Sequence, residues 1–166
     1  MRPLAFLILG LSCCAFGAFA QPAAPPQLDF LAGNWSLHDA AGTRVGSSRI
    51  VVQAANAMLF EERQVGNAAA QPLWFANVES SGRWTQYFVG ALGLIRAFEA
   101  QTAPGAWPIV MGADVTLRDG TPVRFRMTMS RASADETRRI LEISRDGGAT
   151  WNNVFDYSYR RERAAS

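Results

Sequence analysis

The sequence predicts an all-β protein: a closed, antiparallel up-and-down (meander) barrel of about ten strands, preceded by a short N-terminal helical turn. Three observations carry this expectation. From Trp35 onward apolar and polar residues alternate with period two, and turn residues return about every 13 positions. No long window carries a sustained helical stripe. The connections are too short for helical crossovers, which excludes parallel α/β architectures, and a sheet of that many strands left open would expose two long edges. With 166 residues, 49% of them hydrophobic, the chain is long enough for one domain with a real core and too short for two.

The elements follow in order. Leu28-Asp29-Phe30-Leu31-Ala32 reads as one helical turn, stopped by Gly33. Strands are expected at 34–40, 45–53, 57–65, 72–78, 83–89, 92–101, 109–117, 122–130, 138–144 and 151–161. Gly-bearing turns such as Ala41-Gly42-Thr43, Gly66-Asn67, Ser80-Ser81-Gly82, Asp119-Gly120 and Asp146-Gly147-Gly148 join them as antiparallel neighbours. The longest gap, Thr102 to Pro108, carries two prolines and a tryptophan and reads as a lid or rim loop. Alternation then sorts the faces. Inward sets are Met58, Phe60, Glu62 and Gln64; Trp84, Gln86 and Phe88; Leu94, Arg96 and Phe98; Val123, Phe125, Met127 and Met129; and Trp151, Asn153, Phe155, Tyr157 and Tyr159.

Ahead of the barrel, residues 1–20 read as a secretory signal peptide. Arg2 supplies the positive start, Leu4 to Phe19 the apolar run, and Ala18-Phe19-Ala20 the cleavage site. The run is short for a membrane-spanning helix, so no transmembrane span is expected in the mature chain. Residues 21–27 form a Pro/Ala-rich tether, and 28–166 a single barrel domain. The expected location is periplasmic or secreted, with a lipid anchor through Cys14 as the alternative reading of Leu11-Ser12-Cys13-Cys14. Both cysteines lie in the leader, so cleavage leaves neither disulfide nor thiolate.

Composition excludes several function classes. All 16 basic residues are arginine, balanced by 14 acidic ones for a net charge of +2, and no dense basic run marks a nucleic-acid surface. His38, the single histidine, alternates opposite Trp35 and Leu37, which rules against a Ser-His-Asp triad and a structural zinc site. No EF-hand loop is present. No cofactor is expected. Ser144 to Trp151 fits the Asp-box pattern, S-x-D-x-G-x-T-W, but a propeller needs at least four blades, which one motif in a chain this short does not supply. Here Asp146 is expected to accept backbone hydrogen bonds, Gly147 and Gly148 to take positive φ, and Trp151 to start the next strand.

Leu28-Asp29-Phe30-Leu31-Ala32-Gly33-Asn34-Trp35 resembles the start of lipocalin-like (calycin) barrels, where a helical turn leads into a Gly-x-Trp. Ser144 to Trp151, followed by Asp156-Tyr157-Ser158-Tyr159-Arg160, is similar to the last hairpin of uncharacterised, exported bacterial members of that superfamily. The resemblance runs from Leu28 to Arg160. It implies that Trp35 plugs one end of the barrel beneath an arginine of the last strand, Arg160 or Arg161. In the nitrobindin-like branch a late histidine binds haem; this sequence has none there and departs from that pattern.

The functional expectation is an exported barrel that holds a small, hydrophobic or amphipathic molecule in its interior, without covalent catalysis. Its wall would be Phe60, Phe75, Phe88, Phe98, Met111, Phe125, Met127 and Tyr157, with Glu62, Gln86 and Arg96 orienting a polar head. A buried Arg96 stays charged and needs an anion, supplied by Glu62 or by a ligand. Two other classes compete: a nucleophile-free enzyme of hydratase, cyclase or isomerase type acting through Glu62 or Arg96, and a filled-core structural or interaction domain of the cell envelope. Oligomeric state is not legible in the sequence.

Overall fold

The computed structural model describes residues 28–53, 58–78, 81–89 and 95–163; the expected leader and tether, the two cysteines and Leu94 lie outside them. A 3-10 turn at Asp29–Leu31 leads into β1 (Gly33–His38), β2 (Arg44–Gln53), β3 (Met58–Val65), β4 (Gln71–Val78), β5 (Arg83–Val89), β6 (Ile95–Ala100), β7 (Ile109–Thr116), β8 (Pro122–Arg131), β9 (Glu136–Ser144) and β10 (Asn152–Arg161). Each strand pairs antiparallel with the next, and β1 pairs with β10, so the sheet closes into a ten-stranded up-and-down barrel without an edge.

The core fills one end of this barrel. Trp35 and Leu37 of β1, Leu28 and Leu31 of the preceding turn, Ile50, Met111, Met129 and Tyr159 are all almost or fully buried. Strand alternation on β8 runs as the sequence indicates, with Val123, Phe125, Met127 and Met129 inside. Trp35 Nε1 donates to the Leu31 carbonyl at 2.7 Å, which ties the 3-10 turn to the barrel. Arg161 lies over the Trp35 ring at 4.2 Å and donates to the carbonyls of Ala32 (2.7 Å), Ala134 (3.2 Å) and Phe30. The stacking arginine is therefore Arg161. Arg160 points out toward Glu136, 3.8 Å away, because Arg161 faces Trp35 in the register and its chain neighbour takes the opposite face. Gly33, at φ 133°, lets this guanidinium approach: a Cβ there would sit 2.6 Å from Arg161 Nη1.

Two face assignments are corrected. On β3 the inward residues are Leu59, Glu61 and Arg63, while Met58, Phe60, Glu62 and Gln64 face outward. Apolar content alone favours the other set, yet Phe60 packs on the outside against Trp74 at 5.2 Å, and Glu62 is exposed. On β10 a bulge between Asn153 and Phe155 shifts the register, so Phe155, Tyr157 and Tyr159 face in while Trp151 and Asn153 face out. Trp151 stacks outside under Arg126 at 4.2 Å. The turn that precedes it forms as expected. Asp146 accepts from the Thr150 amide (2.9 Å) and the Ser144 hydroxyl (2.7 Å), and Gly147 and Gly148 have φ of 73° and 103°.

The loop from Thr102 to Pro108 lies at the plugged end, where Trp107 meets Phe30 edge to face at 5.6 Å. No helix among the described residues is long and apolar enough to cross a membrane. The outer wall carries the ion pairs Arg124–Asp114, Arg126–Glu142 and Arg138–Asp156.

Candidate functional site

The opposite end of the barrel is hollow. A cavity of about 220 Å³ is lined by Arg63 of β3, Gln71 of β4, Gln86 and Phe88 of β5, Arg96 and Phe98 of β6, Met127 of β8, Leu141 of β9 and Val154 and Phe155 of β10. Each strand contributes through the same alternation that builds the core, so the cavity is the unfilled continuation of the inner face.

Beneath it, a polar cluster crosses the interior. Glu61 of β3 and Arg139 of β9, both fully buried, form an ion pair between strands that are not neighbours in the barrel. Ser48 Oγ donates to Glu61 Oε1 at 2.8 Å. Arg139 lies over the Tyr159 ring at 4.3 Å and that of Phe75 at 5.2 Å, and its Nη1 donates to the Tyr159 hydroxyl at 3.5 Å. Burial by itself raises the Glu61 pKa, but the charges of Arg139 and Arg63, with hydrogen bonds from Arg139 and Ser48, outweigh it and hold the carboxyl below its ordinary value. Burial also pushes the Tyr159 hydroxyl up, so this phenol stays protonated. Such a carboxylate is a poor proton carrier near neutrality, since a general base works best with a pKa close to the working pH.

The upper wall is more loosely satisfied. Arg63 lies over the Phe155 ring at 5.0 Å and donates through Nη2 to Gln71 at 3.2 Å. Its Nε, like Oε1 of Gln86, is buried with no hydrogen-bond partner among the described residues. Arg96 lies over Phe125 at 4.9 Å.

Of the residues expected at a binding site, Gln86, Phe88, Arg96, Phe98 and Met127 line this single cavity. Phe125 supports Arg96 from below and meets Phe98 edge to face at 6.1 Å. Tyr157 stacks on Phe155 at 4.8 Å, next to the wall. Phe75 and Met111 are fully buried in the packed core. Phe60 and Glu62 are on the outside, for the register reason given above. Glu62 is therefore neither an interior acid nor the partner of Arg96. The residues the sequence reading missed are Arg63, Glu61 and Arg139. In 136–144 the alternation Thr137-Arg139-Leu141-Ile143 places Arg139 inside, but a lone arginine in an apolar row reads as a solvent residue until its carboxylate is found 78 positions away.

A larger concavity, about 700 Å³, lies over the seam between β6 and β7, which pair only through Glu99–Gly112 and Ala100–Met111. Two of its three arginines are already engaged: Arg124 by Asp114 at 2.8 Å and the Gly147 carbonyl at 3.0 Å, Arg126 by Glu142 at 2.9 Å. Among the described residues no group of three His, Cys, Asp or Glu side chains is placed to hold a metal ion. His38 faces outward, within 3.1 Å of the Ser36 hydroxyl and of the Gly42 carbonyl. Neither a protein-family model nor a curated protein sequence matches this chain.

Proposed function

We propose that this protein is an exported, lipocalin-like barrel that binds a small, mainly apolar molecule in its interior and performs no covalent chemistry. The observation that carries the reading is the cavity of about 220 Å³ walled by Phe88, Phe98, Met127, Leu141 and Phe155 at the unplugged end. Methionine in such a wall adapts to the shape of a guest. The plugged end, with Trp35 under Arg161, supports the lipocalin-like assignment. Export rests on the leader-like residues 1–20. The nucleophile-free enzyme reading loses its acid, because Glu62 faces solvent and Glu61 is locked to Arg139. A fully filled core is disfavoured by the cavity itself.

The cavity, about 220 Å³, is smaller than the pocket of a drug-sized ligand, and exposed Val154 on its wall marks the mouth through which a chain longer than the cavity extends. Straight-chain alcohols test this. Affinity should rise about fourfold per methylene, the equivalent of ~0.8 kcal/mol, and level off once the chain fills the cavity. The readout is the Met127 methyl resonance, which should shift while that of the outward-facing Met58 stays still. No shift at Met127 with any chain length would refute the proposal.

A further inference from the structure

We infer that the guest carries an anionic head, a carboxylate on an apolar chain, held between Arg63 and Arg96; this rests on the reading of the barrel as a small-molecule binder. Five arginines among the described residues are at least partly withdrawn from solvent: Arg63 and Arg139 are buried, and Arg96, Arg126 and Arg161 are half-buried. Arg126, Arg139 and Arg161 each have a carboxylate within ion-pair distance, Glu142, Glu61 and Asp135. Arg63 and Arg96 have none among the described residues, and both line the same cavity.

The charge balance inside the barrel makes this costly without a guest. Among the described residues the interior holds the guanidinium groups of Arg63, Arg96 and Arg139 against the single carboxylate of Glu61, whose charge acts on both Arg139 and Arg63 and whose oxygens Arg139 and Ser48 already engage. Arginine does not escape by losing its proton, so its charge stays in an apolar surround. Arg63 is only 7% exposed, and its Nε has no partner there. The amide of Gln86, 3% exposed, also has Oε1 unpartnered and is free to turn its NH2 toward a head group. A carboxylate matches the planar fork of a guanidinium and satisfies several donors at once. The aromatic walls of Phe98 and Phe155 take the chain.

The test compares octanoate with octan-1-ol, equal in chain length, by calorimetry at low and physiological salt on the protein lacking its leader. Octanoate should bind roughly 30-fold or more tightly than the alcohol, the scale of one partner lost from a buried charge pair. Arg96→Met should remove most of that preference, so that the ratio of octanoate to octan-1-ol affinity falls toward one. Arg63→Gln, which keeps a polar side chain against Gln71, is the second variant, and circular dichroism checks that each is folded. Equal binding of acid and alcohol, or a preference that survives in both variants, overturns the anionic head and leaves the apolar cavity standing. Inorganic phosphate or acetate displacing octanoate at equal concentration also overturns it, since the chain would then contribute nothing. If neither octanoate nor octanol binds, the small-molecule reading falls, and this inference with it.

Discussion

The Glu61–Arg139 pair spans the barrel between β3 and β9 with both side chains fully buried, and its removal gives the sharpest test of how the interior is held together. Glu61→Gln leaves Arg139 a permanent cation whose Nε and Nη2 already lack partners among the described residues. Breaking one side of such a pair costs about 3–5 kcal/mol, a large fraction of the 5–15 kcal/mol that holds a typical domain folded. In urea, with a slope near 2 kcal/mol per molar for a chain of this size, the midpoint should fall by roughly 1.5–2.5 M. The double variant Glu61→Gln/Arg139→Met removes the uncompensated charge and should recover most of that loss, giving a coupling of ~2 kcal/mol or more. The pair also sets the acid limb of stability. Because the folded carboxyl lies below its ordinary value of 4.5, its contribution is complete above that pH and is lost as the pH falls through the folded value. Glu61→Gln should therefore be less stable than wild type at neutral pH and lose less on acidification. Single-variant losses under ~1 kcal/mol, or a double loss equal to the sum of the singles, would refute the idea of a coupled buried strut.

Three further outcomes are expected. Trp35→Ala should cost about 3–5 kcal/mol by denaturant titration, the range for removing a fully buried aromatic, and a loss under ~1 kcal/mol would show that it is no plug. Arg161→Met should cost at least ~2 kcal/mol, since it unpairs the carbonyls of Phe30 and Ala32, while Arg160→Met should stay within ~0.5 kcal/mol; the reverse order would overturn the assignment of the stacking arginine. The Thr150 hydroxyl and amide and the Ser144 hydroxyl hold the Asp146 carboxyl well below the usual range. Its folded-state ionisation should persist as the pH falls past the ordinary aspartate value, followed by carboxyl-carbon NMR, and a titration step near about 3.9 would refute the turn geometry.

The sequence by itself determined the strands, their antiparallel order and the turns, because those features are local: period-two alternation and Gly-bearing turns are each written in a few consecutive residues, whereas the plug was implied by the resemblance of the Gly33-Asn34-Trp35 start to lipocalin-like barrels. Strand β8 shows this well, since Val123, Phe125, Met127 and Met129 admit only one inward face. Closure also followed, from the need of a ten-stranded meander to hide its edges. The tertiary structure alone decided the face of β3. There Met58 and Phe60 compete with Glu61 and Arg63, and the charged set goes inside because Arg139 arrives from the far side of the barrel while Trp74 covers Phe60 outside. The β10 bulge, which turns Trp151 outward, and the choice of Arg161 over Arg160 are likewise matters of parity fixed by partner strands. A one-residue shift reverses every side chain on a strand, and nothing within a single strand records which register its neighbours impose. For the same reason Arg96 was readable as an interior cation, whereas Arg63, its companion in the cavity, was visible only once the barrel had closed around both.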